Sequence, residues 1–285
     1  MKTLYKILFF VTIIITVIVT AFVLGTFFFR RQVNGEIDAI FSSSGDLTDV
    51  FTYRQLEGLP EPVQRYFRYS LNDGQKYISY VRLTHAGTFR PSPEQDWMPI
   101  TGEEYFSVEK PGFLWFASIK PVPVIAITAR DTYHDGVGNM LIKVASLYTM
   151  GDTKGEKMDE GALMRWLAEA IWFPTALLPS ESLQWAEVDS DSARATLVDS
   201  GINVSLVFKF NAEGQVTEVL GLRYRSVGDS FSQDEWVAYC RDYREVDGVM
   251  IPYEVEVTWN LDSGVYSYAL FTIVEMEYDN PSRFK

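Results

Sequence analysis

The residues best suited to bind a ligand lie in one short segment, RWLAEAIWFPTALLP, over residues 165–179. Arg165 and Glu169 are four positions apart, so their side chains can pair along one face of a helix. Large apolar side chains accompany them: Trp166, Trp172 and Phe173. A charged pair beside rigid aromatic rings can hold an amphipathic ligand. The alternative to a binding site is an ordinary ion pair on the solvent-exposed side of a core helix. If only Arg165 and Glu169 are considered, this alternative is favoured.

These five residues form the predicted ligand-binding site. Trp166 and Phe173 are seven positions apart and share a helix face, whereas Trp172 lies about 100° around the helix from Phe173. The three rings therefore cannot fill a single core seam. We predict that the helix covers the concave side of a curved sheet, with Trp166 in the core and residues 172–179 forming one wall of an apolar cleft. Arg165 and Glu169 are expected at the rim of this cleft.

The common signatures of hydrolytic enzymes are absent from the sequence. It has two histidines, His85 and His134, and contains neither H-E-x-x-H nor G-x-S-x-G. Asp131, His134 and Asp135 can supply metal ligands, but their place between two predicted strands favours an ordinary hairpin turn. We predict no metal and no cofactor. A carboxylate-dependent hydrolase, with the charged pair of the helix near its site, stays as the alternative to a binding protein.

Basic residues also alternate along the predicted C-terminal strands: Arg223, Arg225, Arg241 and Arg244. Such a set can bind an anionic head group. We favour a polar sheet face, on which these arginines pair with acidic residues of the same strands: Glu218, Glu254 and Glu256.

The N-terminus predicts a membrane anchor. Ile7 to Phe29 are 23 consecutive uncharged residues, which as a helix reach roughly 35 Å against a hydrocarbon core of about 30 Å. A cleaved signal peptide is the competing interpretation, but its apolar region is usually only about 7–15 residues long. We assign residues 1–31 to the anchor and 32–50 to a polar tether. Lys2, Lys6 and the α-amine flank one side of the span, and Arg30 and Arg31 flank the other. The two sides nearly balance, and the small excess before the span favours a single-pass topology with the body outside the cytoplasm.

Charge and cysteine content narrow the class of protein. The chain carries 38 acidic and 25 basic residues, a net charge of −13. All the acidic residues follow Arg31, so the body has 21 basic residues against 38 acidic ones, a net −17. This charge repels nucleic acid, and we predict no nucleic-acid partner. The single cysteine, Cys240, cannot form an intramolecular disulfide.

Residues 51–285 read as a single domain rich in β-strands. Apolar side chains alternate with polar ones in NVSLVFKF, EVLGLRYRS and IPYEVEVTW, and glycine-containing turns such as HDGVG separate the strands. Val63, Tyr66 and Phe67 have helical spacing, and Asp159 can cap a second helix that begins near Glu160. The predicted fold class is mainly β: an antiparallel curved sheet or half-barrel with two or more short helices, plus one transmembrane helix.

Four segments carry a resemblance to a known family: LPEPVQRYFRYSL, DTYHDGVGNM, RWLAEAIWFPTALLP and IPYEVEVTWNLDSGVYSY. Together they resemble an uncharacterised bacterial family with the motif R-W-L-x-E-x-x-W-F-P-T-A-L-L-P, over Leu59 to Tyr278. The family implies no established activity. The curved sheet with its helix is also similar to the half-barrels of the lipoprotein-localisation factors, which implies an acyl-binding concave face.

These observations favour a membrane-anchored envelope protein that binds a lipid, an acyl chain or another hydrophobic or amphipathic ligand. Two alternatives stay open, the carboxylate-dependent hydrolase and a structural component of an envelope complex. A deep apolar cavity is expected for the first function, convergent buried charges for the second and a flat exposed apolar patch for the third.

Overall fold

The computed structural model describes residues 2–122, 125–228 and 230–284. In these residues thirteen strands form one antiparallel sheet. The strands are β1 (Tyr80–Phe89), β2 (Met98–Ser107), β3 (Gly112–Val122), β4 (Ile125–His134), β5 (Val137–Val144), β6 (Tyr148–Thr153), β7 (Leu183–Asp189), β8 (Ser192–Asp199), β9 (Ile202–Phe210), β10 (Val216–Val227), β11 (Ser230–Val246), β12 (Val249–Leu261) and β13 (Gly264–Tyr278). The helices are α1 (Lys2–Ser43), α2 (Glu61–Ser70) and α3 (Glu156–Glu169), with short 3-10 turns at Tyr53–Leu56, Ala170–Trp172 and Pro174–Leu177.

The sheet consists of two meanders that meet in its middle. Strands β1 to β6 run outward to one edge, α3 crosses the sheet, and β7 to β13 return from the other edge until β13 pairs with β1. Consecutive antiparallel strands need only short turns, which matches the glycine-rich connections of the sequence. The predicted fold class, a curved and mainly antiparallel sheet with few helices, is confirmed.

The HDGVG segment forms the expected hairpin turn. His134 pairs with Val137, and the two residues between them, Asp135 and Gly136, have φ angles of 49° and 80°. Both central residues of a type I′ turn adopt positive φ, which suits Asp-Gly.

Helix α1 is longer than the sequence predicts. It is one continuous helix that passes through the expected tether and ends at Ser43. Its C-terminal part is buried on the convex face of the sheet through Phe29, Val33, Ile37 and Ile40. These residues recur every three or four positions, so a single stripe of the helix contacts the sheet. Polar residues between them conceal this stripe in the sequence, and the segment 32–43 is a docked helix instead of a tether.

The opposite, concave face holds the main core. Along β3 the side chain of Leu114 faces α1, whereas Phe113 and Trp115 face α3, as the two-residue period of a strand requires. Helix α2 begins after Pro60 and buries Val63 and Phe67 against this face. The sheet is therefore covered on both faces near its middle.

Helix α3 begins earlier than predicted, and its cap differs. Gly155 is the N-cap residue, and Asp159 lies inside the first turns, where its carboxylate accepts the Gly138 N–H at 2.7 Å. Gly138 allows this close approach, because a Cβ there would lie 2.6 Å from the carbonyl oxygen of Met158. Asp159 thus joins α3 to strand β5 and does not cap the helix.

Candidate ligand-binding site

A cleft lies between helix α3 and the concave face of the sheet. Its inner part is a cavity of ≈ 170 Å³, lined mainly by apolar side chains that include Trp172, Val255 and Phe271. An outer cavity of ≈ 380 Å³ adjoins it. The two cavities adjoin, because they share five lining residues: Phe89, Asp131, Met140, Arg223 and Tyr268. Volumes of this order suit a small ligand, since ligand pockets usually enclose about 300–1,000 Å³.

A buried ionic cluster forms part of the wall of the inner cavity. The Arg165 guanidinium donates to Glu104, Asp131 and Glu169, with each N–O distance 2.8 Å. The Glu104 and Asp131 side chains are only 1% and 2% exposed. Helix α3 provides Arg165 and Glu169, while β2 and β4 provide the other two carboxylates. One guanidinium therefore joins the helix to two strands of the sheet.

The cluster contains three carboxyl groups and only one guanidinium. This imbalance shifts the pKa values of its side chains. Burial and the neighbouring charge of Glu169 raise the pKa of Glu104 well above its ordinary value. Burial also raises the pKa of Glu169, although Arg165 opposes the change. Burial would lower the pKa of Arg165, but its carboxylate partners raise it overall. Arg165 stays charged, and the site favours a proton on Glu104.

Two carboxylate oxygens of the cluster lack a hydrogen-bond donor among the described residues. They are Asp131 Oδ1 and Glu169 Oε2. A proton on Glu104 would be shared with the Glu169 carboxylate, its hydrogen-bond partner. Asp131 and Glu169 both line the inner cavity. An unpaired buried oxygen is costly, so these atoms are natural partners for a donor on a ligand or for water.

His85 and Trp115 lie beside the cluster. The Trp115 indole N–H donates to His85 Nε2 at 2.7 Å, and the two rings are nearly parallel. Burial, assisted by the positive charge of Arg165, lowers the pKa of His85 to about 3. The Arg165 guanidinium also lies 5.0 Å from the centre of the Trp115 ring. The imidazole is thus neutral at ordinary pH and belongs to the support of the cluster.

The structure divides the five predicted site residues into two groups. Arg165, Glu169 and Trp172 line the inner cavity. Trp166 and Phe173 are in the core, where their rings contact each other with centroids 5.6 Å apart. The charged pair was expected at the rim, yet both side chains are largely buried. Arg165 is largely buried because it pairs with carboxylates on two strands of the sheet. The sequence around Arg165 does not reveal these partners.

The mouth of the cleft is basic, a feature that sequence reasoning missed. Arg90, Lys157, Arg223 and Arg225 line the outer cavity. They come from the residue after β1, from α3 and from β10, so no short segment displays them together. In the sequence, only the alternating arginines of β10 indicated a basic surface of this kind.

Those arginines do not all make the predicted pairs. Arg241 does bind Glu256, at 3.0 Å, but Arg244 pairs with Asp242. Arg225 pairs with Asp234, and Arg223 donates to the carbonyl oxygen of Gly161. The two arginines of β10 therefore face the cleft and do not belong to the polar surface formed by the others.

The three candidate metal ligands do not converge on one point, although His134 Nε2 lies 3.7 Å from Asp135 Oδ2. Asp131 binds Arg165 on the concave side, whereas His134 contacts the Ser43 hydroxyl of α1 at 2.9 Å. Asp135 occupies the hairpin turn. Among the described residues there is no group of three or more His, Cys, Asp or Glu side chains arranged to hold a metal ion.

A family match covers most of this fold and the whole cleft. Residues 49–271 match DUF6544, a family of unknown function. The chain belongs to this family. The predicted membership of an uncharacterised family is thus confirmed. No curated protein matches the sequence.

The solved structures that are similar to the chain include the following three. A LolA superfamily protein from Nitrosomonas europaea has 10% identity and a TM-score of 0.41, over 77% of this chain and 92% of its own. A putative outer membrane lipoprotein-sorting protein domain from Vibrio parahaemolyticus has 10% identity and a TM-score of 0.42, over 80% and 94%. A beta-barrel-like protein of the DUF1849 domain from Brucella abortus has 12% identity and a TM-score of 0.26, over 72% and 99%.

Proposed function

We propose that this protein binds an amphipathic ligand, such as a lipid or a fatty acid, in the cleft under α3. The observation that carries the proposal is an apolar inner cavity that opens onto a basic mouth. The apolar tail of the ligand occupies the inner cavity, against Trp172 and Phe271. Its anionic head group lies at the mouth. Burying the tail stabilises the complex by roughly 0.8 kcal/mol for each CH₂ group.

The basic side chains of the mouth are available to such a head group. Among the described residues, Arg90, Lys157 and Arg223 have no carboxylate within 4.0 Å. Aromatic rings hold them instead: Arg90 lies 4.6 Å from the Trp97 ring centre, and Lys157 lies 5.2 Å from that of Tyr224. A cation–π contact orients a cation without neutralising it. In a chain of net charge −13, three cations with no carboxylate in direct contact support binding of an anion.

The N-terminal helix supports a place at the membrane. Helix α1 is long and apolar enough to cross a bilayer, and its most apolar window has a mean hydropathy of 3.1 with none of its residues buried. We propose that residues 1–31 anchor the chain and that the body lies outside the cytoplasm. C-terminal reporter fusions test this: a reporter that works only outside the cytoplasm should be active, and activity of a cytoplasm-specific reporter would contradict the topology.

Ligand binding is tested with a matched pair of tryptophans. Each indole N–H donates to one backbone carbonyl, of Pro252 for Trp172 and of Ser107 for Trp166, but only Trp172 lines the cavity. Full-length protein in detergent is titrated with a fluorescent fatty acid. Trp172→Phe should weaken binding by about tenfold, equal to about 1.4 kcal/mol. Trp166→Phe should lower stability and leave the affinity unchanged.

A filled cavity provides the complementary variant. Ala238 is buried and lines the inner cavity from β11. Ala238→Leu should exclude the acyl probe, since the added side chain occupies its space. A folded wild-type protein that takes up no acyl probe would contradict the proposed function. Equal binding by the wild type and Ala238→Leu would place the ligand elsewhere.

A carboxylate-dependent hydrolase is the second candidate. It is supported by the free oxygens of Asp131 and Glu169 in the cavity wall, next to Glu104 with its raised pKa. A buried acid that holds its proton can act as a general acid. Turnover of a chromogenic ester or glycoside that is lost in Glu169→Gln, while acyl-probe binding persists, would favour this function.

A further inference from the structure

The turn between β5 and β6 contacts the anchor helix inside its apolar run. Leu147 packs so closely on Gly25 that a Cβ at Gly25 would overlap its side chain. Gly25 belongs to the uncharged stretch from Ile7 to Phe29. It lies four residues from the end of that stretch, which is about 6 Å along the helix axis. A span that covers the hydrocarbon core therefore brings this turn to the level of the lipid head groups.

The side chains around this contact suit that level. Tyr148 and Met150, which follow the turn on β6, are 72% and 57% exposed. Two basic groups lie close by. Arg30 follows on α1 and pairs with Glu103, and Lys143 on β5 has its Nζ 4.5 Å from the centre of the Phe29 ring. Exposed apolar and aromatic residues next to basic ones are typical of protein at a membrane interface. Because the body as a whole is acidic, we attribute the contact to these local side chains and not to net charge.

The mouth of the cleft lies at the same end of the sheet. The pairing register connects the end of β5 to the start of β4, and continues through the end of β3 and the start of β2 to the end of β1. β1 ends at Phe89, and both Phe89 and the next residue, Arg90, line the outer cavity. The start of β13 pairs with this end of β1 and carries Val265, which is 69% exposed. The far end of the sheet contacts the other end of the docked helix, where Ser43 meets His134.

We infer that this end of the sheet is a membrane-contacting surface, so that the cleft opens onto the bilayer crossed by α1. The inference rests on the proposed anchor and ligand. It means that an amphipathic ligand passes between the leaflet and the cleft without crossing water as a free molecule. The inner cavity extends away from the membrane, towards Trp172 at the end of α3. The basic side chains of the mouth contact the anionic head group of the ligand while its apolar tail enters the inner cavity.

Depth-dependent fluorescence quenching tests this orientation. The full chain is labelled with an environment-sensitive fluorophore at single introduced cysteines, Tyr148→Cys or Val265→Cys, and reconstituted in phosphatidylcholine vesicles that contain a nitroxide-labelled lipid. Val137→Cys is the matched control, because Val137 is also exposed, at 57%, but lies in the hairpin at the far end of the sheet. Cys240 does not compete for the label, since burial raises the pKa of its thiol to about 12.

We expect quenching and a blue-shifted emission at Tyr148→Cys and Val265→Cys, and neither at Val137→Cys. Equal quenching at all three positions, or none at any of them, would overturn the orientation. The acyl-binding experiment separates the two proposals. Binding of the acyl probe without quenching rejects the membrane-facing mouth alone, whereas quenching without acyl binding rejects the proposed ligand and leaves the membrane contact standing.

Discussion

The indole N–H of Trp115 points at Nε2 of His85 across 2.7 Å, with an angle of only 6° between the two ring planes. This hydrogen bond requires an unprotonated Nε2, because a protonated one would place two donors against each other. The nearby Arg165 adds a second reason for a neutral imidazole. His85 is therefore a buried group whose protonation disrupts its surroundings.

The pH dependence of stability should show this. The folded pKa of His85 is about 3 against an ordinary 6.5, so the stability it contributes is present above 6.5 and is lost as the pH falls towards 3. We expect a contribution on the order of 3 kcal/mol lost between pH 7 and pH 4. His85→Gln keeps an acceptor for Trp115 but cannot take up the proton. Urea unfolding at both pH values should show a smaller loss in the variant, and an equal loss would contradict the assignment.

Removing the guanidinium of Arg165 should destabilise the fold strongly. Arg165→Leu leaves three buried acidic side chains without their cation, although Glu104 already favours its proton. Breaking a buried ion pair on one side costs about 3–5 kcal/mol. Arg165→Lys should recover only part of this, because an ammonium cannot reproduce three directed hydrogen bonds. Arg241→Leu is the control: its ion pair with Glu256 is exposed, and its loss should cost less than about 1 kcal/mol. Chemical denaturation of the three variants checks the order, and a mild Arg165→Leu would refute the role of the cluster.

The strand pattern could be predicted from the sequence because each strand shows its own period. In β9, Val204, Leu206, Phe208 and Phe210 alternate with more exposed residues, and all four are buried. That information is local, and turn residues mark where each strand ends. Helix α2 could be predicted for the same reason.

The ionic cluster could be predicted only in part. Glu169 is four residues from Arg165 on one helix and was recognisable, but Glu104 and Asp131 are 61 and 34 residues away. Separations of this length do not follow the repeat of a helix or a strand, so the sequence pattern does not reveal these contacts. The basic mouth was missed for the same reason, since its members come from three elements that are distant in sequence. The docked part of α1 was missed because its apolar stripe is narrow and follows a much more apolar segment.

Gly138 should resist substitution. A Cβ there would lie 2.6 Å from the Met158 carbonyl oxygen and 2.8 Å from the Ala162 Cβ, and backbone on α3 cannot give way cheaply. Gly138→Ala should cost about 1–3 kcal/mol, as overpacked sites usually do. Gly151→Ala on β6 is the control, because a Cβ there would have no neighbour within 4 Å. Thermal unfolding should separate the two variants by several degrees, and an unaltered Gly138→Ala protein would show that α3 and β5 do not pack this closely.

The docked part of α1 gives the last prediction. Ile37 is 1% exposed and packs on the convex face of the sheet. Ile37→Ala should destabilise the body by about 2–5 kcal/mol, the usual range for a buried Ile truncated to Ala. Two substitutions in the same helix control for effects on the helix itself. Gly35 is exposed and a Cβ there would have no neighbour within 4 Å, so Gly35→Ala should stabilise by up to about 1 kcal/mol.

Ile14→Ala is the second control, because Ile14 lies in the uncharged stretch from Ile7 to Phe29 and is 56% exposed. It should leave the unfolding of the body unchanged. A flexible tether over residues 32–50 would predict no effect for any of the three substitutions, since a tether contributes no packing. Urea unfolding of the full chain in detergent therefore separates the two arrangements. A destabilised Ile37→Ala beside an unaltered Ile14→Ala would mean that the anchor holds the body rigidly, which a cleft with a fixed orientation to the membrane requires.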